Sequence, residues 1–501
     1  MKNLTEYIFQ YAAEKPDSPF IIHGDYAITF QKAAAQISAI SQELMDTGLK
    51  SGQTAGILMQ NCPEFIICYL AVLNVGGLAS LLPWSMSEGE VATLATTTRI
   101  DALFYSVDFQ EHKNQILNLS NHPIRCYVHG RKTDSEATNI YDIIDHKKVG
   151  DSVGTSTSRA NAVILFSAGD YSHPKSLVFT HGSLIATALS ISENFPEYYH
   201  ARIYTSLPFF HYYPFTLVLN LAIVRGNTII IPSDSSREQL YKAIAKQKIN
   251  IFVSNNSFIR ELVGEQRLDP ELLPSIDYFI PVSNSFTIET KNVISERSHA
   301  YIVEAYGVAE APVISMNCNG YYNHVASIGR PLSCCEVKIV DENGNRLREN
   351  EPGFLWVRGK NVFHHYFDKY PIVERTPEEW VDTGDVAFLN EEGYLFWQCK
   401  RRDWILRDGF HVNPTDILTV VQQFPGVKES TIIKKNQRFD DDQIVLVVTK
   451  QDDVELDIQN LMTHCHENLP KYMVPDSISV VAHFERNCIG IIKKSHITFE
   501  E

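Results

Sequence analysis

The chain has 501 residues, 44% of them hydrophobic and 21% charged, with a formal net charge of -16. Repulsion from phosphate over that net charge excludes duplex nucleic acid and anionic membrane surfaces as natural partners. The nine cysteines are scattered without a CxxC pair, which disfavours a disulfide framework or a structural zinc site and fits a reducing, cytoplasmic setting.

In chain order, the opening residues Met1–Leu4 carry no long apolar run before Glu14 and Lys15, so no secretory signal is expected. Phe30–Leu49 has helical spacing, and Ala55–Met59 reads as a short buried parallel strand. Phe65–Trp84 is free of charge and approaches the length of a membrane span. Asn74, the Gly76-Gly77 pair and Pro83 instead divide it into an apolar helix, a tight turn and the short strand Ala79–Leu82. Ala162–Phe166, Thr228–Pro232 and Asn250–Val253 read as further buried strands, with Arg237–Lys248 helical between the last two. This alternation predicts a layered α/β domain.

From about Ile328 the texture changes to turn signals at 341–345, 349–353 and 390–393, which predict a mainly antiparallel β-subdomain. The basic run Lys400-Arg401-Arg402 is followed by an α+β tail of about a hundred residues, enough for a separate domain.

Several segments carry chemistry-bearing residues in a fixed order: Phe166–His181, Leu207–Pro214, Glu304–Glu310, Trp380–Leu395, Lys400–Ile417, Leu469–Pro475 and Phe484–Lys494. Together they resemble the adenylate-forming (AMP-binding) enzymes, the family of acyl- and aryl-CoA synthetases and adenylation domains. That resemblance implies a large N-terminal domain, residues 1–398, of layered α/β subdomains plus a small β-subdomain. A small mobile α+β domain, residues 399–501, would follow a hinge at 399–403, with Arg402 at the pivot.

The resemblance also implies roles. Ser167, Gly169 and Lys175 would cradle the phosphates of ATP, since small residues let backbone N–H groups approach and a lysine supplies charge. Asp170 and Tyr171 suit that loop poorly, one by its charge and the other by its bulk; an ordinary surface loop is the alternative. Tyr306 and Gly307 would border the adenine, Glu310 would hold Mg²⁺, and Asp385 and Lys400 would reach the ribose. His211 would border the reacting carboxylate where amino-acid-activating relatives carry an aspartate, so an aliphatic or aryl acid is expected rather than an amino acid. Phe209 and Phe210 fit plain core packing equally well. Ala309 stands where the family has a threonine, a loss of about 1 kcal/mol.

The final motif departs most. After Gly490 stands Ile491, where the family's catalytic lysine bridges the acid and the α-phosphate. Losing such a contact costs about two to three orders of magnitude in rate. Lys493 is the candidate replacement: in an extended strand it faces the same side, displaced by about 6.5 Å.

The function implied is an acid–thiol ligase that forms an acyl-adenylate from a small carboxylic acid. The adenylate then passes to CoA, or to the phosphopantetheine of an acyl or peptidyl carrier protein. The alternative is a non-catalytic descendant that binds a nucleotide or acyl-adenylate. Between them lies a chain that performs only the thioester-forming half on a supplied adenylate. No nucleic acid and no membrane span enter either reading.

Overall fold

A computed structural model describes residues 3–130, 136–146, 157, 159–167, 174–194, 201–233, 236–264, 275–282, 286, 288–318, 326–367, 372–407, 410–435, 442–451, 454–486 and 491–497. The chain divides into two compact units, Met1–Glu336 with Val357–Val381, and Val337–Trp356 with Asp382–Glu501.

Among the described residues, the first unit holds an eight-stranded sheet whose centre runs Asn161–Phe166, Leu78–Leu81, Thr54–Leu58, Ile100–Ser106 and Arg125–His129. Thr54–Leu58 pairs in parallel with both neighbours and is buried along its whole length, as an apolar strand covered on both faces must be. The uncharged stretch resolves as expected. Pro63–Asn74 is a helix with proline in its first turn, Gly76 follows at φ +73°, and Leu78–Leu81 is a strand. No helix among the described residues is long and apolar enough to cross a membrane.

The same unit carries a nine-stranded sheet in which Pro19–His23, Thr228–Ile231, Arg202–Thr205, Ile251–Asn255 and Tyr278–Val282 pair in parallel. Its core gathers around Phe252, whose ring lies 4.7 Å from Tyr204 and 5.6 Å from Phe279. The predicted strands at 162–166, 228–232 and 250–253 are present within two residues of their expected ends. The predicted helices are present as Phe30–Asp46, three residues short of its expected end, and Arg237–Gln247.

The second unit contains the greater part of the sheet Cys335–Val340, Gly353–Gly359, Val381–Leu389 and Leu395–Lys400, the last two antiparallel. Its turn at 390–393 closes with Asn390 N donating to Tyr394 O at 3.0 Å. The three-stranded sheet of the tail and helices Pro414–Val421 and Ile458–Asn468 share a core of Ile405, Ile417, Leu446 and Leu461. Two short strands after Ile328 lie outside the antiparallel layer. Arg330–Pro331 pairs with Ala311–Cys318, and His365–Tyr366 with Ser176–Thr180. Each covers the edge of a large sheet, whose N–H and C=O groups would otherwise stay open.

Phe252→Ala is expected to lower stability by about 3–5 kcal/mol, the range for emptying a fully buried aromatic site. Urea unfolding of the first unit would show a lower midpoint at unchanged slope.

Candidate functional site

The first cluster forms where the strand Ser176–Thr180 begins. Ser167 and Lys175 pinch the two ends of the segment between them: Ser167 N donates to Lys175 O at 3.0 Å, and Lys175 N donates to Ser167 Oγ at 2.9 Å. Lys175 Nζ then reaches Glu310 Oε1 at 3.0 Å and lies 5.5 Å from the centre of the Tyr366 ring. Burial and the Glu310 charge raise the Tyr366 hydroxyl above its ordinary pKa, with Lys175 acting the other way. Gly169, with Asp170, Tyr171 and Ser172, lies outside the described residues.

Glu310 stands at the turn of a hairpin formed by Tyr301–Val308 and Ala311–Cys318. The hairpin explains Gly307 by packing: a Cβ there would meet Pro312 O at 2.1 Å and Ala311 O at 2.9 Å. Tyr306, one position earlier and partly exposed, pairs across the hairpin with Ser315. The start of the hairpin is anchored by a buried ion pair, Lys291 Nζ to Glu304 Oε2 at 2.7 Å.

His211 begins a short helical turn and is 3% exposed. Its Nδ1 accepts from Tyr213 N at 3.2 Å, so the neutral ring carries its proton on Nε2, which is buried and has no partner. Burial pushes the imidazole down to about 3, keeping it neutral. The Tyr213 hydroxyl donates to Ala305 O, tying this turn to the strand that carries Tyr306. Phe209 and Phe210 are core residues, 1% and 6% exposed, packed against Phe65 and Trp84. Asn61 clamps the same segment, accepting from Phe209 N and donating to Leu207 O, both at 2.8 Å.

In the second unit Asp385 and Lys400 face each other across an antiparallel ladder. Asp385 is fully buried, and Lys400 Nζ lies 2.8 Å from its Oδ1 and 2.9 Å from its Oδ2. Thr383 orients the strand, accepting from Asp385 N and donating to Leu355 O. Downstream, Arg401 lies 3.8 Å from the Phe354 ring, and Asp403 holds Lys494 Nζ at 2.9 Å.

Ile491 is 46% exposed. Ile492 bridges Arg486 and packs on Val445, Val447 and Phe484, while Lys493 N donates to Glu485 O just before the short helix Lys494–His496. Extended alternation thus ends at Lys493, and the neighbouring Lys494 is committed to Asp403.

The structure therefore gathers Ser167, Lys175 and Glu310 in one unit and Asp385 with Lys400 in the other. Tyr366 beside Lys175 was not expected from sequence. It arrives on a two-residue edge strand about 190 positions away, a pairing that leaves no periodic signal. Thr383 and Tyr213 belong to recognised motifs, but their supporting bonds depend on strand geometry.

Comparison with known proteins places these motifs in context. The family model described as AMP-binding enzyme matches residues 8–367. The chain is 22% identical to a long-chain-fatty-acid–CoA ligase of Escherichia coli O157:H7, covering 100% of this chain and 94% of that protein. It is 23% identical to a crotonobetaine/carnitine–CoA ligase of Salmonella arizonae, covering 94% and 95%. Among solved structures it is similar to the anthranilate CoA ligase AuaEII in complex with anthranoyl-AMP, with TM-score 0.89, 17% identity and coverage of 98% and 96%. It is also similar to the Bacillus subtilis o-succinylbenzoate CoA synthetase with ATP and magnesium ion, with TM-score 0.83, 20% identity and coverage of 98% of each chain.

The neutral histidines set an acid limit on stability. His211 and His181 sit at about 3 and about 4 when folded, against 6.5 when unfolded. Below 6.5 the unfolded chain binds protons that the folded chain refuses, so stability falls as the pH drops toward those values. Each group contributes a slope of about 1.4 kcal/mol per pH unit. His211→Gln should remove one proton's worth of that slope between pH 6 and 4, measured by urea unfolding across the range.

Proposed function

Because the chain belongs to the AMP-binding enzyme family, we propose that it is an ATP-dependent ligase that activates a carboxylic acid as its adenylate and transfers it to a thiol. The observation that carries this reading is the Lys175–Glu310 contact at 3.0 Å, closed from behind by Ser167. A cation and a carboxylate paired beside Ser167 can be parted by a metal–triphosphate complex, because each then finds an opposite charge.

The donor set fits. Mg²⁺ is held by one or two carboxylates plus substrate phosphates, and Glu310 is a single partly buried carboxylate of that kind. The ion would neutralise phosphate charge as pyrophosphate leaves. Lys175 would hold the phosphates, and Asp385, spanned by Lys400, would accept from the ribose hydroxyls. His211 would turn its Nε2–H toward the acid's carboxylate. A neutral imidazole in place of a carboxylate favours an aliphatic or aryl acid over one bearing an ammonium group. CoA is the proposed thiol, with a carrier protein's phosphopantetheine as the other acceptor. The proposal also includes a division into residues 1–398 and 399–501, with the tail pivoting at Arg402.

A second reading, binding of nucleotide or acyl-adenylate without efficient adenylation, is favoured by one observation. Ile491 presents an exposed hydrocarbon where a cation is needed. Lys493 could substitute only if its segment re-forms as an extended strand.

Pyrophosphate exchange into ATP, run with pools of fatty, aryl and amino acids, tests both readings. The parent is expected to exchange weakly and best with fatty or aryl acids. Ile491→Lys should raise the rate by about 10²–10³-fold. If neither protein exchanges and ATP gives no thermal shift, the ligase reading fails.

A further inference from the structure

A second cluster of chemistry-bearing side chains lies at the carboxyl ends of parallel strands in the eight-stranded sheet. After Thr54–Leu58 the helix Pro63–Asn74 leads to the strand on one side, Leu78–Leu81. After Ile100–Ser106 the helix Gln110–Leu119 leads to Arg125–His129 on the other side. Strand connections that diverge in this way leave a crevice, the usual ligand position of an open α/β sheet. Cys62 and Glu64 enter it from the start of the first helix, and His129 from the end of its strand.

We propose that Cys62, Glu64 and His129 form a binding site for a transition-metal dication of the zinc class. One ligand atom from each lies within 4.8 Å of the others. His129 Nε2 and Glu64 Oε2 are 3.3 Å apart. That is about the edge of a tetrahedron with bonds of 2.0–2.2 Å. The Cys62 sulfur, within 4.8 Å of both, has at most about an ångström to close, within reach of a side-chain rotation.

The surroundings suit a metal. Cys62 is 8% exposed, and Glu64 and His129 are mostly buried. Ser106 Oγ lies 3.3 Å from His129 Nδ1 and can hold the ring so that Nε2 faces the crevice, as outer partners of metal-bound histidines do. The hydroxyl now 3.0 Å from Nε2 belongs to Tyr141, a residue exposed enough to swing aside. The Cys62 thiol donates to Glu64; on binding, the dication takes the place of that proton, which passes to solvent. A water would fill the fourth position, as in open zinc sites with three protein ligands. Burial and the Glu64 charge disfavour the free thiolate, the backbone N–H groups at the helix start offset part of that, and a bound dication supplies the remaining compensation. A sulfur, nitrogen and oxygen donor set selects zinc-like ions over Mg²⁺, so this site is distinct from Glu310.

Titration of the metal-free full chain with Co²⁺ tests the assignment. One equivalent should produce a thiolate-to-cobalt charge-transfer band and tetrahedral d–d bands, and Zn²⁺ should abolish both. Cys62→Ser should lose the charge-transfer band yet fold normally by circular dichroism, since serine is a favoured helix N-cap. Glu64→Gln and His129→Gln should each weaken Co²⁺ binding at least tenfold, and Cys334→Ser should leave it unchanged. No cobalt–thiolate band at one equivalent, or a band that survives Cys62→Ser, would overturn the proposal.

Discussion

A carboxylate taken out of water needs a cation in contact, because an isolated buried charge costs several kcal/mol. Three strands that carry the motifs are organised by that requirement. Asp385, with no exposed surface, fixes Lys400 opposite it and so sets the register of its hairpin. Glu304 draws Lys291 from the helix Ile288–Ser298 onto the start of the strand Tyr301–Val308. That contact positions Tyr306, Gly307 and, at the turn, Glu310. Only there does the third pair, Glu310 with Lys175, become available to a ligand.

The three pairs differ in what they do for the fold. Lys291 and Glu304 are 11% and 6% exposed, so removing one partner would strand a charge and cost about 3–5 kcal/mol. Lys175 and Glu310 are 38% and 15% exposed, and a pair of that kind is worth about 1 kcal/mol or less. A weak pair is easily parted. The same property that makes it dispensable for folding suits it to exchange its internal partner for a phosphate and a metal ion.

Much of the fold was legible in the sequence because its signals are local. Thr54–Leu58 and Thr228–Ile231 are apolar on both faces, and Gly76 with Pro83 punctuates the one stretch that imitates a membrane span. The edge strands Arg330–Pro331 and His365–Tyr366 were not legible, since two residues cannot show a period and their partners are distant. The site followed the same division. Glu310, Asp385 and Lys400 could be named from motif order, whereas Tyr366 beside Lys175 depends on strand pairing. Cys62, Glu64 and His129 were invisible for a related reason. Without a CxxC spacing, only the divergence of two strand connections brings them together.

Matching a family motif is informative only where packing does not already demand the residue. Gly307 is demanded by packing, because any Cβ would collide with Pro312 O. Lys175 and Glu310 are not, so chemistry is the better reason for their presence. Ile491 inverts the case. At 46% exposure it gains little from burial, so the fold offers no compensation for placing a hydrocarbon where a cation would stabilise departing pyrophosphate. On the proposed ligase reading the deficit falls on adenylate formation alone. Attack by a thiol on a bound adenylate expels AMP and does not draw on that cation, so the second half-reaction survives the substitution that slows the first.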